Sequence, residues 1–216
     1  MRSPSGRSDA EVVAALGVAA ALFAATFRGP RPAFWKRMTL TGAVLGSVAL
    51  GRQPALRRLR PRVRHLWQGA AVAAGLYGIF RVGDGMARRI MPDGAGDIDA
   101  IYGLRQDQDA LVIAARLATV IGPAEELFWR GFVLERLARG RGRWSGAALA
   151  AGAYGGVHLA SGNPTLVGAA AVAGAYWSAL AAAGVEMESL IVSHVLWDIV
   201  IFLVAPTTPP ATTGTA

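Results

Sequence analysis

The sequence contains no cysteine. That excludes disulfides, cysteine-based zinc sites and a cysteine nucleophile, and it leaves the redox compartment open. Charge is scarce as well: 17% of the 216 residues are charged and 53% are hydrophobic. A chain of this balance is neither disordered nor an ordinary soluble domain. Only three histidines are present, so the surroundings of each one carry information. No internal repeat or low-complexity tract stands out beyond a richness in alanine and glycine, which suits close helix packing.

What the chain does have is a series of apolar runs approaching the ~20 residues needed to cross a bilayer. They cover residues 10–27, 38–50, 66–80, 110–121, 144–160, 165–184 and 187–204. The first follows Arg2 and Arg7, the pattern of a signal peptide, but its length and the runs behind it favour a retained membrane helix. The run at 38–50 is short, and crosses only if extended back through Pro32 to Trp35 or if it tilts little. Residues 81–109 break up into glycine, proline and six aspartates (Asp84, Asp93, Asp97, Asp99, Asp107, Asp109) and read as an outside polar loop or surface helix. Ser161-Gly-Asn-Pro164 is a helix stop, and Pro206, Pro209 and Pro210 end the last helix in a disordered tail. The expected fold is all-α, a polytopic integral membrane bundle of about 6–8 helices and a multi-pass protein of the cell membrane. Four parts are expected: an N-terminal tail and first membrane helix at 1–37, accessory helices and a polar loop at 38–109, a core at 110–204 and the tail at 205–216.

The net charge of +8 would suit nucleic acid if it formed one face of a soluble domain. Here the arginines sit in short segments between apolar runs, as positive-inside topology produces. No nucleic-acid partner is expected; the lipid bilayer is, including contact with anionic lipid. Arg52, Arg57, Arg58, Arg60, Arg62 and Arg64 form the densest basic loop and mark the cytoplasmic side, joined by Arg136, Arg139, Arg141 and Arg143. The segment with Arg28, Arg31, Lys36 and Arg37 conflicts with this. Either 38–50 re-enters without crossing, or the rule fails there. His65, among arginines, reads as solvated or interfacial.

Three polar sets stand out within apolar segments. The first is Gly122-Pro-Ala-Glu-Glu-Leu-Phe-Trp-Arg-Gly131. Ionisable groups at membrane depth are costly and persist where they are paired or used. Pro123 is expected to kink or restart the helix, placing Glu125 and Glu126 in a first turn where the helix dipole tolerates carboxylates. Glu126 and Arg130 are four apart in the favourable order and can pair. Glu125 lies roughly 100° around the helix, without that partner. Glu125 is therefore the candidate general base, with Glu126 and Arg130 as a structural brace. The alternative places both glutamates at a membrane interface beside Arg116, Arg130 and Arg136. The second set is Tyr154-Gly-Gly-Val-His158, whose glycines admit close approach of a helix or ligand. The third is His194-Val-Leu-Trp-Asp198, two groups on one face that could address one ion or water, or in which Asp198 fixes the tautomer of His194. Together, Glu125, His158, His194 and Asp198 supply what water activation needs.

In order and spacing, Glu125-Glu126-x-x-x-Arg130, Tyr154-x-x-x-His158 and His194-x-x-x-Asp198 resemble the three-motif signature of the CPBP family. These are intramembrane proteases that include type II CAAX prenyl endopeptidases and proteins tied to bacteriocin processing or immunity. The resemblance covers about 110–204. It implies an all-α membrane fold with the site in a cavity within the bilayer. There Glu125, assisted by His158, would activate a water, and His194 and Asp198 would hold the oxyanion or serve a metal. Tyr154 stands where the family usually has Phe, adds a hydroxyl and is a candidate substrate contact. Asp198 stands where Asn is common; it would have to be protonated, ligate a metal or orient His194. A bound Zn would draw on Glu125, His158, His194 and Asp198, while a metal-free glutamate mechanism fits equally well. The expected activity is hydrolysis of a membrane-associated protein or peptide. The alternatives are a non-catalytic membrane peptide-binding, immunity or scaffold protein, and an ion pathway.

Overall fold

The computed structural model describes residues 4–91 and 93–207; Arg2, Pro209, Pro210 and the rest of the expected tail from 208 lie outside the described residues. Among the described residues there is no strand, and eight helices account for the chain. They are α1 (Pro4–Phe27), α2 (Phe34–Arg52), α3 (Val63–Ile90), α4 (Gly94–Gly103), α5 (residues 110–138), α6 (Arg143–Val157), α7 (Pro164–Ala183) and α8 (Met187–Val204). The expected all-α membrane bundle is what forms. Asp9–Phe27, Pro164–Ala183 and Met187–Val204 are each long and apolar enough to cross a bilayer.

Several elements differ from their expected extents. Helix α3 does not stop near Phe80 but runs on through Arg81 and Asp84 to Ile90, 28 residues in all, which is about 42 Å. Its added turns are held by Arg88, which pairs with Asp84 and Asp99. Helix α2 begins at Phe34, reaches back over Trp35 and has 19 residues. It starts where Trp35 donates to the Leu104 carbonyl and ends where Arg52 meets Glu11. The segment therefore traverses the bundle rather than re-entering. Its basic approach is partly neutralised, because Arg31 pairs with Asp107 at 2.8 Å. His65 is buried rather than solvated, at 2% exposure. Its Nδ1 accepts the Arg62 backbone N–H, which leaves Nε2 to face Glu186 at 3.3 Å.

Two apolar clusters hold the bundle. One joins Phe23 of α1 and Leu45 of α2 to Phe128, Trp129 and Phe132 of α5 and Tyr154 of α6. The other joins Leu76 of α3, Trp177 of α7 and Leu190, Trp197 and Ile201 of α8. The N-terminal helices are thus packed into the core. Where lipid is as apolar as the side chains, helices associate through close van der Waals fit. Gly46 of α2 provides one such fit: a Cβ there would stand 3.1 Å from Cβ of Ala124 on α5, directly beside Glu125.

Gly46→Val is expected to push α2 off α5 and to cost about 1–3 kcal/mol. A lowered thermal midpoint in detergent is the readout, and an unchanged midpoint would show that this contact is dispensable.

Candidate active site

Helix α5 carries the first polar set, and its backbone explains how. Pro123 does not restart it: the helix is continuous from 110 to 138, with π-helical turns at Leu117–Ile121 and Leu127–Leu134 around the α-helical Gly122–Glu126. In a regular α-helix the proline ring would press on the carbonyl four residues back. The wider π turn before it, where Gly122 N–H reaches Leu117 O, gives that ring room. Such widened turns recur at functional sites because they re-aim side chains.

Both glutamates lie inside the bundle, Glu125 at 4% and Glu126 at 0% exposure. The interfacial alternative does not hold, since Arg116 turns to Thr39 and Arg136 to Glu11 instead. Glu126 Oε1 accepts Arg130 Nη1 at 2.9 Å and lies 2.7 Å from His194 Nδ1. An ionised carboxylate only accepts, so His194 donates from Nδ1. It is therefore Glu126, not Asp198, that fixes the ring of His194. Nε2 of His194 faces the other carboxylates, 3.6 Å from Asp198 Oδ2 and 4.0 Å from Glu125 Oε2. Both distances exceed a hydrogen bond. Glu125 Oε2 accepts the Tyr154 hydroxyl at 2.8 Å. His158 Nδ1 lies 2.8 Å from the Tyr154 carbonyl, a group that only accepts. Nδ1 therefore carries the hydrogen, and Nε2 is left as an acceptor.

Glu125, Tyr154, His158, His194 and Asp198 line one cavity of about 120 Å³, room for a few waters or a peptide group. Glu126 and Arg130 are outside its lining. Phe23 and Phe27 of α1 pack on the His158 ring at 5.1 and 5.7 Å. A wider apolar chamber of about 390 Å³ shares Phe80, Ile101, Leu166, Ala169, Trp197 and Phe202 with the cavity.

Sequence reasoning missed Trp177. It is fully buried and stacks on His194, with ring centroids 4.1 Å apart and planes 15° from parallel. Its indole N–H donates to Ser193 Oγ, and the Arg130 guanidinium sits over its ring at 5.3 Å and over Tyr154 at 5.0 Å. The signal was a lone tryptophan in an alanine- and glycine-rich helix. Gly174, one turn earlier, is needed for the approach. A Cβ there would meet Tyr154 Cδ1 at 2.8 Å, and the Gly174 carbonyl takes Arg130 Nη2 at 3.4 Å. Of the two glycines in the second motif, Gly155 admits Ala171 of α7, whereas nothing lies near Gly156.

Residues 107–200 match the family described as Type II CAAX prenyl endopeptidase Rce1-like. The matched stretch, less than half of the chain, is similar to that family. It contains all three polar sets and the whole of α5 to α7. No curated protein and no solved structure matches the chain. Zinc was one expectation for the site. Among the described residues, no three histidine or carboxylate side chains are placed to hold a metal ion.

Glu126→Gln and Arg130→Ala each strand a buried partner, at an expected cost of about 3–5 kcal/mol. Both should cut the yield of monodisperse protein in gel filtration of solubilised membranes. A normal yield for both would remove the bracing role of the pair.

Proposed function

We propose that this protein is an intramembrane endopeptidase that hydrolyses a peptide bond of a membrane-associated protein or peptide, using a water activated by Glu125 and His158. The observation that carries this reading is the meeting of Glu125, His158, His194 and Asp198, from three separate motifs, around one buried cavity. The Rce1-like match supports peptidase chemistry over the other readings.

In this mechanism the water lies between Glu125 and His158. His158 Nε2 accepts one of its hydrogens and orients it, and Glu125 takes the other as the oxygen attacks the carbonyl carbon. The carbonyl oxygen becomes the oxyanion. His194 donates to it from Nε2 when that nitrogen also carries a proton, held in place by Glu126 and by stacking on Trp177. Asp198 donates there only in its protonated form; ionised, it stabilises the His194 proton. Collapse of the adduct breaks the C–N bond, and the proton held by Glu125 passes to the leaving nitrogen. Tyr154 tethers Glu125 through its hydroxyl and so sets the direction of the base. The fully buried Glu126, Arg130 and Trp177 stand behind the cavity, an arrangement that suits a closed reaction chamber better than an ion pathway.

Peptide termini in membranes holding the wild type, Glu125→Gln or His158→Ala at matched levels provide the test. Termini generated by the wild type should fall about 100-fold or more in each variant. Processing that persists in both would overturn the reading in favour of peptide binding without catalysis. Because the proposed mechanism draws on no metal, prior treatment with a divalent-cation chelator is expected to leave cleavage unchanged. Loss restored by zinc would reverse that part of the mechanism.

A further inference from the structure

The reaction cavity is small for its proposed task. Its volume is about 120 Å³, below the roughly 300–1,000 Å³ of pockets that enclose a ligand. A peptide substrate brings chain on both sides of the bond to be cut. Part of the cavity wall comes from one segment, residues 94–107, which comprises α4 and the short turn after it. Ile101 and Leu104 of this segment line the cavity. Ile101 also lines the adjoining apolar chamber, together with Ile98 and Tyr102. One short segment therefore closes part of both spaces.

The segment is held differently from the helices around it. Of its residues only Gly94 and Ile98 are buried, so little apolar surface anchors it. Polar contacts fasten it at its edges instead. Trp35 donates to the Leu104 carbonyl, and the half-exposed Arg31 pairs with Asp107 at 2.8 Å. The Tyr102 and Thr207 hydroxyls lie 2.8 Å apart. Near the start of α4, Asn163 donates to the Asp97 carbonyl, the Thr165 hydroxyl donates to the Asp97 carboxylate, and Arg88 reaches Asp99. A segment with few buried apolar contacts opens locally more readily than the core. The chain leaves it through Gln108, whose backbone is extended (φ −156°, ψ 156°). Helix α5 then begins with its own cap, in which Asp109 accepts from the Leu111 and Val112 backbone N–H groups. Movement at Gln108 leaves the start of the helix that carries Glu125 intact.

We infer that residues 94–107 form a lid on the reaction cavity. It pivots on the Asp97 contacts and on Gln108, and it is latched by the Arg31–Asp107 pair, the Trp35–Leu104 bond and the Tyr102–Thr207 contact. When the latch is released, Ile101 and Leu104 lift away and the cavity and the chamber become one space. A substrate segment then has room to lie across Glu125 and His158. Latched, the lid leaves room only for a few waters or a single peptide group. The passage of a peptide rests on the proposed function; the opening of the lid does not.

The cysteine-free sequence lets the lid be tested without any cleavage. Ala170 of α7 lines the cavity and is 6% exposed, whereas Gln106 on the lid is exposed. In purified full-length protein in detergent, Ala170→Cys should react with a small methanethiosulfonate far more slowly than Gln106→Cys. Adding Asp107→Ala to Ala170→Cys should speed that reaction about two- to fivefold, because the rate follows the open fraction and one exposed ion pair is lost. Arg31→Ala removes the same latch from the α1–α2 turn and should act alike if Asp107→Ala does not fold. Labelling of Ala170→Cys as fast as Gln106→Cys, or a rate that neither latch substitution changes, overturns the lid. A second arm joins Arg31→Cys to Asp107→Cys with a bifunctional thiol reagent that a reductant cleaves. The joined protein should stop generating the peptide termini seen with the wild type and should resume on reduction. Undiminished generation by the joined protein also overturns the lid. If the wild type generates no termini, the proposed function fails, and the labelling rates still decide the lid.

Discussion

A guanidinium with almost no exposure in a protein of the bilayer constrains everything around it. Arg130 is charged at any accessible pH, and burying it without compensation would cost several kcal/mol. Its partners come from three helices: the Glu126 carboxylate on α5, the Gly174 carbonyl and Trp177 ring on α7, and the Tyr154 ring on α6. Glu126 then passes the constraint to α8 through His194. Yet Arg130 Nε and Glu126 Oε2 have no hydrogen-bond partner among the described residues. The pair leans on ring faces as well as on hydrogen bonds, which makes Gly174 and Trp177 structural requirements of the same charge.

The two neighbouring glutamates separate in role because adjacent helical residues point in different directions. Glu126 faces Arg130 and His194, away from the cavity. Glu125 faces the cavity and meets a hydroxyl rather than a cation. A carboxylate that is hydrogen-bonded but not ion-paired can take a proton without leaving a buried cation stranded. One carboxylate can therefore change its protonation while its neighbour holds the architecture. The π turns on either side of Gly122–Glu126 allow both aims within one unbroken helix.

Much of this was legible in the sequence because membranes penalise polar residues. Glu125, Glu126, Arg130, His158, His194 and Asp198 stand out against apolar neighbours, and the positions of α7 and α8 followed from run length and the stop at Ser161-Gly-Asn-Pro164. What was not legible depended on partners distant in the chain. Hydropathy ended α3 near Phe80, because Arg81 and Asp84 look like loop residues until Asp99 is seen bound to Arg88. His65 read as solvated because Glu186, its partner, is far along the chain. Pro123 read as a kink or a restart, and the unbroken helix was not foreseen because a π turn leaves no local composition signal. The role given to Glu126 was incomplete for the same reason: an i,i+4 pair with Arg130 is written in the spacing, whereas its bond to His194 is a tertiary fact.

The arrangement also bears on how a soluble reactant reaches a membrane site. The proposed hydrolysis needs water beside Glu125, but water admitted freely would solvate the Glu126–Arg130 pair and weaken what orients His194. The structure separates the two demands. The cavity is polar only where the reacting groups line it, and Trp177 with the core aromatics of α5 backs the ion pair. The adjoining chamber is lined almost wholly by apolar residues, with Asp84, Thr165, Tyr102 and Thr207 as its polar exceptions. In the proposed reaction a substrate's apolar anchor would fill that chamber from the bilayer, leaving the space beside Glu125 and His158 for water. Peptide and water then arrive by different routes, and the buried charge pair is exposed to neither.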